Sequence, residues 1–259
     1  MEWINIDLSL WVILALVASA FAAGFIDSVA GGGGLILVPS FILAGLPPQV
    51  ALGQEKIVST LGTIAAIRNF VKNKKVIWKA VMAGIPAGLV GAYIGAEMIL
   101  YFDPNTVGKI ILALMPLGII LSFIPKKHVH EGEQHFSSFK FYIGVPATVF
   151  VIGFYDGFFG PGTGSFLILA LHFILRFDLV AASANSKLFN FSSNIGALVA
   201  FVLAGKILYI LAIPLVLANL AGNHLGSHST LKYGPKVVRR TLSVSMLLLM
   251  TSLGFKYVI

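Results

Sequence analysis

Two lysines lie inside long apolar stretches of the sequence, and each begins a stripe of polar residues at helical spacing. The stripes are Lys56, Ser59, Thr60 and Thr63, and Lys187, Asn190 and Asn194 with Ser193 beside them. Residues three, four and seven apart share one helix face, so each stripe faces a partner helix or a cavity. A charge at membrane depth is expensive, which favours substrate binding or coupling by the two lysines over snorkelling. The uncharged members serve either helix–helix hydrogen bonding or substrate contact.

Two related phrases place an aspartate before glycines: GFIDSVAGGGG (24–34) and GFYDGFFGPGTG (153–164). Four consecutive glycines cost a helix about 3–4 kcal/mol relative to alanine, which predicts a helix break. At membrane depth such a break survives only where protein or a wet cavity satisfies its backbone. The helix after each break offers N–H groups that suit an anion, and tight packing is the alternative reading. The predicted donors are Gly32, Gly33, Gly34, Gly162, Thr163 and Gly164.

The aspartates of these phrases, Asp27 and Asp156, occupy equivalent positions. Each could bond the unwound backbone of its break, pair with Lys56 or Lys187, or carry a coupled proton. We favour a structural or pairing role.

Four other polar residues lie near the stripes. Gln54 and Asn185 precede the two lysines by two residues and are predicted to orient an anion. Glu55 has no acidic counterpart in the second half, which makes it a candidate proton carrier. His224 could reach a cavity, but a packing role is the simpler expectation.

The elements that position these residues must be membrane helices. The 259 residues are 58% hydrophobic and only 11% charged, whereas soluble domains have roughly a quarter charged residues. No cysteine is present, which excludes disulfides and thiolate chemistry. The net charge of +8 comes from short basic clusters between apolar runs, so we expect no nucleic-acid partner. Ten apolar segments are predicted at 9–26, 35–46, 51–71, 77–101, 106–124, 139–156, 165–176, 182–204, 207–231 and 239–258.

The two halves of the chain are repeats. ALGQEKIVSTLGTIAA (51–66) aligns with ASANSKLFNFSSNIGA (182–197), and GAYIGAE (91–97) aligns with GNHLGSH (222–228) at the same offset. The glycine spacings in the second pair are typical of close helix contacts. We predict a first repeat at 1–124, a cytoplasmic linker at 125–138 and a second repeat at 139–259. HVHEGEQH (128–135) lies in this linker and lacks metal-site spacing.

The basic clusters indicate how the segments cross. KNKK (72–75), PKKH (125–128) and KYGPKVVRR (232–240) all lie in the cytoplasm if every segment crosses and both termini are periplasmic. Five crossings per half then make the second repeat inverted. Inverted repeats with short, glycine-interrupted segments are typical of secondary transporters, whose substrate binds near the midplane. Segments 35–46 and 165–176 are too short to span at 1.5 Å per residue, so whether they fully cross stays open.

At GFIDSVAGGGG, GFYDGFFGPGTGSF, ANSKLFNFSSNIGAL and GNHLGS the sequence resembles the TauE/SafE family of sulfite and sulfonate exporters. The resemblance covers essentially the whole chain and is nearest to a bacterial inner-membrane branch. It implies a multi-pass protein of the bacterial inner membrane that moves small anions such as sulfite or sulfonates.

The fold prediction is therefore an all-α polytopic membrane protein with about ten segments in two inverted repeats of five. The functional hypothesis is a secondary carrier of a small organosulfur anion that works by alternating access, with a proton or sodium ion as coupling partner. A homo-oligomer is compatible with it. The alternatives are an anion channel of the same fold, or a non-transport assembly subunit whose lysines pair only with the aspartates. No nucleophile–base set, metal-ligand set or nucleotide motif is visible, so we expect no enzyme and no cofactor.

Overall fold

The computed structural model describes residues 9–122 and 140–233, and all of the structure below lies in these ranges. The helices are α1 (Leu10–Ala30), α2 (Gly34–Leu43), α3 (Pro48–Lys72), α4 (Trp78–Leu100), α5 (Pro104–Ser122), a π-helix (Lys140–Gly144), α6 (Val145–Phe158), α7 (Thr163–Phe173), α8 (Leu179–Leu203) and α9 (Tyr209–Tyr233). The all-α prediction is confirmed for this part of the chain. The predicted segment 239–258 and the linker 125–138 lie outside the described residues.

Local sequence signals set the helix ends. The Ser9 hydroxyl accepts the Val12 N–H at the start of α1, and the Asp178 carboxylate accepts two N–H groups at the start of α8. Pro48 begins α3, where a missing N–H costs nothing. At the exposed start of α5, the Thr106 hydroxyl and neighbouring backbone donors hold the pKa of Asp103 below its usual value.

Helix length separates the membrane-spanning elements from the broken ones. Among the described residues, five helical stretches are long and apolar enough to cross a membrane: α1, α4, Phe141–Phe158, α8 and α9. By contrast, α2 has 10 residues and α7 has 11, so each covers only about half of a roughly 30 Å core. Both short helices follow a glycine break, as the sequence predicts.

The two halves interlock. The most extensive contacts join α4 to α6 and α1 to α9, so the first helix of each half packs against the fourth helix of the other half. Helices α3 and α8 pack against each other at the centre, and each also packs on the fourth helix of the opposite half. Every helix pair in this set has its repeat-related counterpart. Inversion relative to a membrane stays a prediction.

Glycines allow these helices to approach closely. A Cβ at Gly91 or Gly95 would collide with the backbone of Phe150 or Phe154 on α6. The equivalent Gly222 meets the backbone of Phe21 on α1 in the same way. The prediction that these glycine spacings are packing contacts is confirmed.

Candidate functional site

The predicted polar stripes meet at the contact between α3 and α8. All of their members are buried, with Lys56 only 1% exposed and Lys187 0%. Neither ammonium therefore snorkels to a surface in this conformation. The stripes face protein, as their spacing predicts.

The first charged cluster surrounds Lys56, and we call it the Lys56 centre (Glu55, Lys56, Asp156, Asn190, Ser193 and Asn194). The Lys56 Nζ lies 2.8 Å from Asp156 Oδ1 and 3.0 Å from Glu55 Oε2, and it donates to Asn194 Oδ1 at 3.2 Å. The second oxygen of Asp156 accepts hydrogen bonds from Asn190 and Ser193 on α8. One ammonium thus faces two buried carboxylates, one of which is held firmly by three donors.

The second cluster, the Lys187 centre (Asp27 and Lys187), is simpler. Lys187 Nζ lies 2.8 Å from Asp27 Oδ2. Among the described residues Nζ forms no hydrogen bond of good geometry, although it is completely buried. The Asp27 side chain is 12% exposed, against 2% for Asp156. This centre has one positive and one negative group, and its carboxylate is the more accessible of the two.

The two centres are related by the repeat, and each joins the two halves. Asp156 on α6 pairs with Lys56 on α3, while the equivalent Asp27 on α1 pairs with the equivalent Lys187 on α8. Removing a buried pair's partner leaves a charge without compensation, which costs about 3–5 kcal/mol. Pairing was one of the roles predicted for the aspartates, and each aspartate lies 2.8 Å from a lysine in this structure.

The two glycine breaks lie against each other. Gly31 ends α1 with φ of 79°, and a Cβ there would collide with the backbone of Gly164. Ser165 joins the breaks by two hydrogen bonds, from its N–H to the Gly31 carbonyl at 2.9 Å and from its hydroxyl to the Ala30 carbonyl at 2.7 Å. Gly34 lies against Pro161. The starts of α2 and α7 therefore converge.

Several N–H groups at these helix starts are already used by the protein. In α2, Leu35 donates to Gly32, and Ile36 donates to Gly33. In α7 the Thr163 N–H and its hydroxyl both donate to the Gly160 carbonyl. The direct contact of an anion with these breaks, at Gly32, Gly33, Gly34, Gly162, Thr163 and Gly164, stays a prediction.

Gly160 brings a break next to a charged centre. Its φ is 90°, and a Cβ there would lie 2.6 Å from Lys56 Nζ. Left-handed backbone of this kind favours glycine, and here the missing side chain also leaves room for the ammonium group.

Gln54 and Asn185 are occupied by backbone groups of the opposite half. The Gln54 amide donates to the Leu208 carbonyl at 3.2 Å and accepts the Leu208 N–H at 3.1 Å. Asn185 accepts the N–H of Ile77, the repeat equivalent of Leu208, at 2.9 Å. Their predicted role in orienting an anion stays untested, and the structure shows them fastening the start of each fourth helix.

The remaining polar stripe residues divide by whether they have a partner. Ser59 donates to Glu55 Oε1 at 2.6 Å, and Thr60 donates to the Lys56 carbonyl at 2.6 Å. Within the described ranges, the buried Thr63 hydroxyl and the buried Asn194 Nδ2 have no hydrogen-bond partner. Thr63 and Asn194 are repeat equivalents. Both belong to the predicted set, and both are donors left free at the α3–α8 contact.

Two groups have roles that the sequence did not reveal. Ser165 bridges the breaks, yet its repeat equivalent is Ile36, so no pattern pointed to it. On α9, Asn219 donates to the Ala20 carbonyl at 2.8 Å and accepts from Asn223. The i, i+4 spacing of Asn219 and Asn223 was a usable signal.

His224 is exposed and lies near Asn69 at the α3–α9 contact, away from both lysines.

Comparison with known proteins gives a consistent result. The family model described as "Sulfite exporter TauE/SafE" matches residues 16–253. A "Probable membrane transporter protein ORF9" of Sinorhizobium sp. is 34% identical over 92% of this chain and 90% of its own length. A protein of Haemophilus influenzae named "Probable membrane transporter protein" is 32% identical over 95% of each chain. No solved structure matches.

Proposed function

The chain belongs to the sulfite exporter TauE/SafE family of membrane transporters, and we propose that it is a secondary carrier of a small organosulfur anion. The anion binds between α3 and α8, with Lys187 and Lys56 as its counter-charges. The family description of a sulfite exporter supports a small sulfur oxyanion of the sulfite or sulfonate type as the substrate.

The observation that carries this proposal is a set of buried donors without hydrogen-bond partners. In the described part of the chain these are Asn194 Nδ2 and Thr63 Oγ1, while Lys187 Nζ makes no contact there beyond its ion pair with Asp27 Oδ2 at 2.8 Å. A buried donor left without a partner costs about 1–3 kcal/mol, and that cost is recovered when a ligand supplies the acceptor. Lys187 and Asn194 lie seven residues apart on one face of α8, and Thr63 lies on the helix packed against it.

An oxyanion matches these donors chemically. A sulfonate or sulfite has several acceptor oxygens around a compact negative centre, so an ammonium, an amide and a hydroxyl can bind it together. Asp27 is the present counter-ion of Lys187 and is partly exposed. In the proposed cycle the incoming anion replaces Asp27 as the partner of Lys187. The displaced Asp27 carboxylate is then hydrated on its exposed side.

Alternating access would use the interlocked halves. The ion pairs and the touching breaks all join one half to the other. A counter-ion exchange at either centre therefore changes a contact between the halves directly. We propose that this exchange biases the two halves between conformations open to opposite sides.

The assembly-subunit alternative has one observation in its favour, because both lysines are paired with aspartates in this conformation. Such a protein needs the pairs only to hold its fold. It would gain nothing from an anion, whereas a carrier must be stabilised by its ligand through mass action.

Thermal-shift measurement of the detergent-purified protein separates the two. The probes are sulfite, methanesulfonate, taurine, thiosulfate and acetate at matched ionic strength, with sodium chloride as reference. A ligand at 100 times its Kd stabilises the folded state by about 2.7 kcal/mol. We expect stabilisation by at least one organosulfur anion, lost in Lys187→Ala and kept in Lys109→Ala, which removes an exposed lysine of α5. Equal stabilisation of both variants would refute the site.

Flux measurements address the channel alternative. Radiolabelled sulfite preloaded into proteoliposomes should leave faster when unlabelled sulfite is present outside, because a carrier exchanges one bound anion for another. Exit that is indifferent to external sulfite would favour a channel.

A further inference from the structure

We propose that Glu55 binds one proton each time an anion enters the Lys56 centre, so that anion movement is coupled to proton movement. This inference rests on the proposed function and adds the coupling ion and the group that carries it.

The charge balance of the two centres motivates the proposal. The Lys187 centre holds one ammonium and one carboxylate. The Lys56 centre holds one ammonium and two carboxylates, all at most 6% exposed in their side chains. With both carboxylates ionised, the Lys56 centre already carries one uncompensated negative charge. An arriving anion would add a second, and burial of unpaired charge is costly.

The geometry selects Glu55 over Asp156 as the group that takes the proton. Asp156 accepts from Lys56, Asn190 and Ser193, so protonation would forfeit several charge-assisted hydrogen bonds. In the part of the chain that the structure describes, Glu55 accepts a hydrogen bond only from Ser59, through Oε1. Its Oε2 is buried beside Lys56 at 3.0 Å but makes no hydrogen bond within the described residues.

Ser59 can support both states of Glu55. A serine hydroxyl donates to a carboxylate, and after a rotation it accepts from a carboxylic acid. Ser59 Oγ lies 2.6 Å from Glu55 Oε1, so the same contact serves before and after protonation.

The other elements packed on α3 bring no further titratable group to Glu55. In the described ranges the charged groups that act on it are Lys56 and Asp156. Helix α2 contributes Gly34, which lies against Oε1. The nearest charges on α1 and α8 neutralise each other in the Lys187 centre. The titratable side chains on the described parts of α5 and α9 are exposed: Lys109, Tyr209, His224, His228, Lys232 and Tyr233.

A proton suits this position better than a sodium ion. A metal cation would lie beside the Lys56 ammonium and be repelled by it. A proton on Glu55 instead removes one of the two negative charges that compete for Lys56.

The cycle balances in charge. When the anion becomes a partner of Lys56, one proton from the same side of the membrane binds to Glu55, and the total charge of the centre is unchanged. When the anion leaves on the other side, the proton leaves Glu55 as well.

The test measures binding of methanesulfonate, which stays an anion across neutral pH. We expect the wild-type affinity to fall about tenfold per pH unit on the alkaline side, the slope of one linked proton. Glu55→Gln resembles the protonated state, so its affinity should be as high as the wild-type maximum and independent of pH. Glu97→Gln on α4, a partly buried glutamate outside both centres, should behave as wild type.

The outcomes are distinguishable. A pH indicator in weak buffer should report one proton taken up per anion by the wild type and by Glu97→Gln, and none by Glu55→Gln. Anion binding with no proton uptake by the wild type would overturn the inference and leave the carrier intact, even if Glu55→Gln failed to fold. If the anion affinity of Glu55→Gln kept the wild-type dependence on pH, the inference would also be overturned and the carrier left intact. Absence of anion binding by the wild type would overturn the proposed function together with the inference.

Discussion

The Lys56 centre and the Lys187 centre contain the same kind of ion pair but differ in the groups around it. Each pairs a lysine of a third helix with the aspartate of the opposite half. At the Lys56 centre, however, Lys56 also faces Glu55 and donates to Asn194, and Asp156 accepts from Asn190 and Ser193. Among the described residues Lys187 has only Asp27, whose side chain is 12% exposed. The repeat thus supplies two equivalent lysine–aspartate pairs whose neighbouring groups differ.

The largest difference should appear when each lysine is removed. Lys56→Ala leaves two buried carboxylates without their ammonium, and we expect a loss of about 3–5 kcal/mol in the free energy of unfolding. Lys187→Ala should cost less, because the Asp27 side chain is 12% exposed and can be hydrated. Denaturant unfolding in detergent measures both, with Lys109→Ala as the control. Equal losses would mean that the two centres are energetically alike.

A charge exchange tests whether the Lys187 centre is more than a structural pair. The double variant Asp27→Lys with Lys187→Asp keeps one charge of each sign and should regain much of the stability lost in Lys187→Ala. Its ammonium is then on α1 instead of α8, so we expect at least about a tenfold loss of anion affinity, equivalent to 1.4 kcal/mol. Wild-type affinity in this variant would show that the ammonium's position is irrelevant.

The free donors should separate binding from stability. Asn194→Ala and Thr63→Ala remove groups whose donors have no partner among the described residues, so anion affinity should fall by about tenfold or more, as for a hydrogen bond to a charged group. Asn194→Ala also removes an acceptor of Lys56, so Thr63→Ala is the cleaner of the two variants. Ser193→Ala is the contrasting variant, because Ser193 donates to Asp156. It should lower stability more than affinity. Isothermal titration measures the anion affinity of the three variants, and thermal unfolding measures their stability. A larger loss of affinity in Ser193→Ala than in the other two variants would contradict this prediction.

A smaller loss of stability than that of Lys56→Ala is expected at the glycine beside the Lys56 centre. Gly160→Ala forces alanine into φ of 90° and puts a Cβ against Lys56 Nζ, so we expect a loss of roughly 2 kcal/mol. Gly205→Ala is matched to it, since Gly205 has φ of 66° with nothing within 4 Å of the added carbon. Thermal unfolding should show a smaller loss for Gly205→Ala. Identical losses would show that the ammonium group moves aside freely.

Much of this arrangement can be predicted from the sequence. Apolar segments of helical length predicted the long helices, and the glycine phrases predicted the two breaks, because both features depend on local physics. The repeat alignment marked Lys56 and Lys187 as equivalent, and their polar stripes predicted burial against protein. These inferences need no knowledge of which helices meet.

The contacts between the two halves were harder to predict from the sequence. Gln54 lies two residues before Lys56, and spacing alone suggested a shared role, yet it fastens the backbone at Leu208. Pairing of Asp156 with Lys56 was one of several alternatives, since one-dimensional spacing does not say which half supplies the partner. Ser165 had no equivalent polar residue to reveal it. Such roles depend on tertiary packing between residues 100 or more positions apart.

The crossed ion pairs also have a consequence for synthesis of the protein on the ribosome. Lys56 and Asp156 are separated by 100 positions, so the lysine emerges long before its partner. At roughly 5–20 residues per second, translation of the intervening chain takes about 5–20 s. During that interval Glu55 is the carboxylate partner of Lys56 that has already been synthesised, and Asp156 is still absent. The Lys56 centre is therefore completed only when the second half of the chain arrives.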